Sequence, residues 1–421
     1  MSCIAKQRLC LPKRGLDLSK WAVIACDQFS ADKEYWERVK NYVSGSPTTL
    51  DLILPEAYLS NDNSALISEI NKNMIAYNNN NLFDDEGYCM ILVNRSTENA
   101  KERLGLVLTV DLEDYSFRNE DKKLIRATEE TIVERIPPRV EIRKDAIFEL
   151  SHVILLFDDR DEHIIENLYS KKDEFEKVYD FNLNLGGGHI TGYKIKNVED
   201  VMKKFDGLLT EDYLTKTFSS VDPILFAVGD GNHSLATAKE HWERIKINLT
   251  EEEKINHPAR YALVEVINIH DKGIKFSPIH RVIYNVKKRF LKGLKKLYKV
   301  NRKKADPESF KTYKLFLSGD KEFEYDLPSN TPQAIKMVQD YVDKNLENNL
   351  DLSVDYIHGL DDLKKICSNN KNALGIEMPS IDKNQLFEFI LKNGPLPRKS
   401  FSIGEAKEKR YYLEGHKIKL I

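Results

Sequence analysis

Short apolar runs alternate along this chain with longer polar stretches in which apolar residues recur every three or four positions. The runs Trp21–Cys26, Tyr88–Val93, Leu104–Leu112, His152–Phe157, Ile190–Ile195, Ile224–Val228 and Arg260–Asn268 have the length and composition of strands. Tyr88–Val93 and Leu104–Leu112 read as a strand pair. Helical spacing runs through Tyr35, Trp36 and Val39, and again through Leu66, Ile67, Ile70, Met74 and Ile75. Residues 160–181 read as a charged amphipathic helix, residues 331–346 and 383–392 as two further helices, and Asn78–Asn81 as a solvated connection. No internal repeat is visible. The pattern predicts an α/β or α+β fold with a mixed sheet. It divides into a discontinuous catalytic region, residues 1–300 with an insertion at about 60–205, and a smaller C-terminal α/β region with a polar tail, residues 301–421.

One stretch concentrates the chemistry. The apolar run Ile224–Val228 leads into Gly229, Asp230, Gly231 and Asn232, and then into Leu235, Ala238, Trp242 and Ile245 at helical spacing. This reads as strand, glycine turn, helix, with the glycines free to take positive φ and Ser234 or Asn232 as N-cap. A helix start of this kind offers backbone N–H groups and the positive end of the helix dipole to an anion. Asp230 and His233 on the same turn supply a base or a metal ligand beside it. The plainer alternative is a turn with no ligand.

Composition adds limits. The chain has 421 residues, 41% hydrophobic and 31% charged, with a net charge of −3. That is a soluble globular composition, and nothing global points to nucleic acid or an anionic membrane. No apolar stretch reaches the length of a membrane span, and Met1–Leu16 lacks the apolar core of a secretory signal. Five scattered cysteines without a Cys-x-x-Cys pair fit a reducing cytoplasm and argue against structural zinc.

Other segments carry candidate ligands. Arg126, Arg135 and Arg139 are forks for phosphate or carboxylate, and Glu129 and Glu130 are candidate metal or base carboxylates. Equally, residues 124–139 read as a helix whose Glu and Arg side chains pair with one another. His189 follows three glycines that precede a strand, which suits a hairpin better than a phosphate loop. Glu265 interrupts an apolar strand, where an unpaired carboxylate is costly to bury, and His280-Arg281 sits between apolar neighbours. Asp27 ends the first strand candidate. Residues 287–304 hold ten Lys or Arg around an apolar stripe, readable as an anionic-partner face or as a docked amphipathic helix with a solvated basic side. The tail carries Pro397-Arg398-Lys399-Ser400, able to close over an anion.

Taken together, Trp21-Ala-Val-Ile-Ala-Cys-Asp-Gln28, Ile125-Arg-Ala-Thr-Glu129, Gly187-Gly-His-Ile190, Gly229-Asp-Gly-Asn-His-Ser-Leu-Ala-Thr-Ala238, Pro278-Ile-His-Arg281 and Leu396-Pro-Arg-Lys-Ser400 resemble the successive blocks of the bacterial and archaeal family called domain of unknown function 1015. The central block also resembles the Asp-Gly-His-His-Arg signature of the ParB/sulfiredoxin-like superfamily, which includes free-serine kinases. Asp230 and His233 match that signature, Asn232 replaces its first His, and Ser234 replaces its Arg. The resemblance implies a small α/β core whose strand–turn–helix binds nucleotide phosphates, with Arg126, Arg260 or Arg281 standing in for the missing Arg. Sulfiredoxin chemistry does not fit, since no cysteine lies in the motif.

The resemblance, with the family's association with serine biosynthesis, implies phosphoryl transfer or phosphate-ester hydrolysis on a small metabolite of the serine/phosphoserine class by a cytoplasmic phosphotransferase or phosphatase. Mg²⁺, a nucleotide or pyrophosphate would be the cofactors. Asp230, His233 and Glu129 would be catalytic; Gly229, Gly231, Asn232, Ser234, Arg126, His189, His280, Arg281, Arg398 and Lys399 would bind substrate or phosphate. The alternatives are a ParB-like nucleotide-dependent DNA-binding or regulatory protein, and a metal-dependent hydrolase using His189, His233 and His280, for which no H-E-x-x-H spacing exists.

Overall fold

The computed structural model describes the chain apart from residues 1–2, 31, 61, 119–120, 132, 134–135, 303–308, 320 and 421, and apart from the side chains of 138 and 298–302. It divides into two compact units. The first comprises Met1–Ile274, Phe387–Gly394 and Gly404–Ile421, and the second Lys275–Leu386 and Pro395–Ile403.

The first unit is a mixed α/β structure built on a ten-stranded sheet. At its heart, Phe226–Asp230 lies between Ile154–Phe157, antiparallel to it, and Ile125–Arg126, parallel to it. Tyr261–Asn268 continues the sheet, parallel to Ile154–Phe157 and antiparallel to Arg103–Asp111. These strands are apolar on both faces, as strands covered by helices must be; Phe157, Phe205 and Phe226 are fully buried. Met90–Ser96 and Arg103–Asp111 form the expected antiparallel pair. A four-stranded sheet and the short ladder Val23–Ile24 with Tyr411–Tyr412 complete the unit.

Three readings change on folding. Residues 124–139 are not one helix: Ile125–Arg126 is a strand paired on both sides, with Phe226–Ala227 and with Tyr115–Ser116, and a helix begins only at Ile136. Backbone pairing with Phe226–Ala227 and the buried Thr128 hydroxyl, which donates to Val228 O at 2.5 Å, hold the segment extended. Pro137 and Pro138 sit in the helix's first turn, where no N–H is missed. Arg135 lies outside the described residues. Residues 160–181 divide into a short helix, Ile165–Ser170, and a strand, Glu176–Asn182, which pairs with His189–Ile195 across the glycine hairpin. The strand wins because it buries Tyr179, whose hydroxyl donates to Glu414 at 2.5 Å. Trp21 ends a one-turn helix capped by Asp17, and the strand after it is only Val23–Ile24.

Glu265 is buried as one member of an ionic cluster. Arg410 donates to Glu265, to Glu414 at 2.5 Å and to Ser151 O at 2.9 Å, all three charged side chains being almost wholly enclosed. Burial alone would favour neutral carboxyls, yet Arg410, Arg103 and Arg95 hold the Glu265 carboxyl below its usual range.

In the second unit Phe276–Tyr284 is the axis of a six-stranded sheet, flanked by Ser353–His358 and Leu374–Ile376. The basic helix Lys288–Arg302 buries Phe290 and Leu294 and leaves Lys288, Arg289, Lys292, Lys295 and Lys296 outside, a docked amphipathic helix with a solvated basic side. Lys303 and Lys304 lie outside the described residues.

Candidate functional site

The strand Phe226–Asp230 ends in an irregularity. Ile154 pairs with Asp230 but Leu155 pairs with Val228, so Gly229 is an extra residue in the strand. Such a bulge twists the strand end and re-aims the following side chain. Gly231 then takes φ +79°, and the helix Asn232–Lys246 starts from it with no side-chain cap. The expected N-cap, Ser234 or Asn232, is therefore corrected to Gly231. A left-handed residue was needed to turn directly from strand to helix, and only glycine adopts it without cost. The turn is also crowded: a Cβ at Gly231 would lie 3.1 Å from Val153 Cα and 3.5 Å from His152 Cδ2. Gly229, Asn232, His233 and Ser234 are partly accessible around it, and the Asn232 side-chain oxygen Oδ1 is enclosed without a hydrogen-bond partner.

Asp230 accepts from Gly231 N at 3.0 Å and pairs with Lys409 Nζ at 3.0 Å. Burial opposes ionisation of Asp230, but the Lys409 ammonium, His152 and the Gly231 N–H outweigh it and hold the carboxyl below its usual range. Lys409 arrives with the C-terminal segment. Its carbonyl accepts from the buried Arg95, Arg410 O accepts from Ala25 N at 2.9 Å, and Tyr411–Tyr412 pairs with Val23–Ile24. That pairing lays Tyr412 against Cys26-Asp27. The Tyr412 hydroxyl is 2.7 Å from His152 Nδ1, 3.1 Å from Cys26 Sγ and 3.2 Å from Cys26 N. His152 Nε2 lies 3.7 Å from Asp27 Oδ2. Beside them Arg139 is paired with Glu56, whose N–H donates to Cys26 O at 2.7 Å. One constellation thus joins Asp27, His152, Asp230, Lys409 and Tyr412 at the start of a fifteen-residue helix.

Most of the other expected ligands have partners of their own. Arg126 donates to Lys123 O and Pro223 O, each at 3.0 Å. Glu129 is half-buried and Glu130 exposed. His189 lies on the accessible hairpin, bonded to Asp180 at 2.7 Å and Asn182 at 2.9 Å. Arg260 is paired with Asp111. His280, Arg281, Arg398 and Lys399 belong to the second unit. There Arg281 is fully buried, donating to Gln339 Oε1 at 3.2 and 3.1 Å and to Arg398 O at 3.4 Å, with its guanidinium over the Tyr356 ring. Lys399 approaches the same ring, Arg398 is paired with Asp343, and His280 Nδ1 accepts from Met378 N at 3.0 Å. Among the described residues no group of three or more His, Cys, Asp or Glu is placed to hold a metal ion, and no helix is long and apolar enough to cross a membrane.

His152, Lys409 and Tyr412 were not legible as site residues. His152 stands at the head of an apolar run, a signal of the same kind as Glu265 within one, whereas Lys409 sits in a polar tail that reads as solvated.

Among solved structures, similarity extends to a free serine kinase in complex with AMP, at 9% identity over 74% of this chain and 92% of that one, with TM-score 0.39. It extends also to a conserved hypothetical protein from Pyrococcus furiosus, at 9% identity over 73% and 90%, TM-score 0.37. A third is SbnI with a C-terminal truncation from Staphylococcus aureus, at 10% identity over 71% and 82%, TM-score 0.36. Likenesses this distant carry no argument about function. No curated protein matches the sequence. Residues 10–353 match the family model described as "Protein of unknown function (DUF1015)", so the Leu396–Ser400 block lies beyond the matched span, and the chain belongs to the DUF1015 family.

Proposed function

We propose that the first unit is a phosphoryl-transfer or phosphate-ester enzyme acting on a small hydroxylated metabolite of the serine/phosphoserine class. The observation that carries this reading is the Asp230–Lys409 pair set on a bulged strand end, against a glycine turn that opens an uncapped helix. Phosphoryl transfer asks for little covalent chemistry from the protein. It asks for an anion cradle, a fixed cation and a group that handles the hydroxyl proton. The helix start supplies the cradle, Lys409 the cation, and Asp27, His152 and Asp230 the proton-handling groups. The phosphoryl donor, in this reading, is a nucleoside phosphate or pyrophosphate.

A thermal-shift and calorimetric screen with phosphoserine, serine, pyrophosphate and nucleotides, each with and without Mg²⁺, tests the reading. A ligand at 100 times its dissociation constant stabilises by about 2.7 kcal/mol. The expected result is stabilisation by a phosphorylated ligand that Asp230→Ala and Lys409→Met both abolish. Absence of stabilisation, together with absence of transfer to or from serine, would overturn it.

A further inference from the structure

Resting on that reading, we infer that His152 is the proton-accepting group of the site, and that the Tyr412 hydroxyl, shared between His152 Nδ1 and Cys26 Sγ, decides which ring nitrogen carries the proton. The hydroxyl has two acceptors within reach, Nδ1 at 2.7 Å and Sγ at 3.1 Å, while its oxygen accepts from Cys26 N at 3.2 Å. It has one proton to give. Donated to Nδ1, it leaves the ring as the Nε2–H tautomer, presenting a donor to Asp27. Donated to Sγ, it turns the Tyr412 oxygen into an acceptor for Nδ1–H and leaves Nε2 as a lone pair. Only the second state makes a base of Nε2, the nitrogen that faces Asp27.

The surroundings suit that role. His152 is 8% exposed, so its orientation is held by packing, and its ring stands edge-on to Tyr412. Nε2 is 3.7 Å from Asp27 Oδ2, so the carboxylate faces that nitrogen without closing it off by a hydrogen bond. Burial and the nearby Cys26 and Asp27 raise the Tyr412 phenol well above its ordinary range, so it stays a donor. The charged groups around His152 are Asp27 from the first strand's end, Asp230 from the bulged strand and Lys409, bonded to Asp230, from the C-terminal segment.

The step balances. The substrate hydroxyl gives its proton to Nε2 while its oxygen bonds to phosphorus. The bond from phosphorus to the departing phosphate of the donor breaks, and its electron pair leaves with that phosphate. The imidazolium then stands between the Asp27 carboxylate and the Tyr412 oxygen. His152 would touch the reacting proton; Tyr412 and Cys26 act through it as positioning residues.

The test uses the full chain labelled with ¹⁵N at histidine. Wild-type protein should show His152 averaging between the two neutral tautomers. Cys26→Ala, which removes the second acceptor, should drive it to the Nε2–H form, and Cys26→Ser, which keeps an acceptor, should restore the wild-type pattern. In the transfer assay Cys26→Ala should lower kcat about tenfold with KM unchanged, Cys26→Ser should recover it, and His152→Gln should lose on the order of 10²–10⁴-fold. A tautomer state indifferent to Cys26→Ala, or wild-type turnover in His152→Gln, would overturn the inference. Because the tautomer readout needs no substrate, a chain that responds to Cys26→Ala yet transfers no phosphate sinks the proposed reaction and leaves the Tyr412 switch standing.

Discussion

At the scale of single residues, two side chains carry consequences out of proportion to their size. Arg410 is the sole cation bonded to both Glu265 and Glu414 among the described contacts, and all three are enclosed. Arg410→Met removes that cation and leaves two carboxylates in a low-dielectric setting, so the loss is that of a broken buried pair, about 3–5 kcal/mol. Chemical denaturation at neutral pH should show a loss of that order, and adding Glu265→Gln with Glu414→Gln should return part of it. Gly231 has the opposite character, a residue defined by what it lacks. Gly231→Ala would hold a Cβ at φ +79° and 3.1 Å from Val153 Cα, costing roughly 1–3 kcal/mol. It should also weaken phosphate-ligand binding, because the turn aims both Asp230 and the helix start. Calorimetric titration of the variant checks the second effect separately from the first.

At the scale of elements, the strand Phe276–Tyr284 provides a pH-dependent brace. His280 is buried and its Nδ1 accepts from the Met378 N–H, an arrangement only a neutral ring can make. Burial, with Arg281 and His358 nearby, lowers its pKa from 6.5 to about 4. In the unfolded chain the imidazole takes up a proton below 6.5, whereas in the folded unit it resists until about 4. The native state is therefore favoured in full above pH 6.5, and this contribution, roughly 3 kcal/mol, is lost as the pH falls to about 4. Hydrogen exchange at the Met378 amide, corrected for intrinsic rates, should report progressively easier opening across that window, and His280→Gln should flatten the dependence.

The same scale shows where local reading succeeds. The helices Ser64–Asn79, Asn232–Lys246 and Lys288–Arg302 and the strands around Phe226 follow from spacing that the chain carries within a dozen residues. Residues 124–139 and 160–181 escaped it because their state depends on distant partners. Ile125–Arg126 is held by Phe226–Ala227, and Glu176–Asn182 by the hairpin and by Glu414. An isolated charged segment with helical propensity has no means of recording such partners.

At the scale of the whole molecule, the C-terminal segment is part of the first unit's interior. Tyr411, Tyr412, Leu413 and Ile418 are buried there, and Arg410 and Lys409 hold the ionic cluster and Asp230. A chain truncated after residue 403 should lose the cooperative unfolding transition of the first unit and all phosphate-ligand binding, read by calorimetry. A chain shortened only at residues 419–421, beyond the last strand Gly415–Lys417, should keep both.

What the amino-acid sequence determined alone is the local grammar: the mixed α/β class, the strand, glycine turn and helix at Ile224–Lys246, and Asp230 as the acidic residue at that turn. What only the tertiary structure decided is the company Asp230 keeps. Lys409 pairs with it, and His152, Tyr412 and Asp27 gather beside it, from segments far apart in the chain. Strand pairing at Val23–Ile24 with Tyr411–Tyr412 and a one-residue bulge at Gly229 place them there. Periodicity reports which face of an element is apolar. It does not report which remote charge will be buried against it, because that is settled by the closure of the whole core.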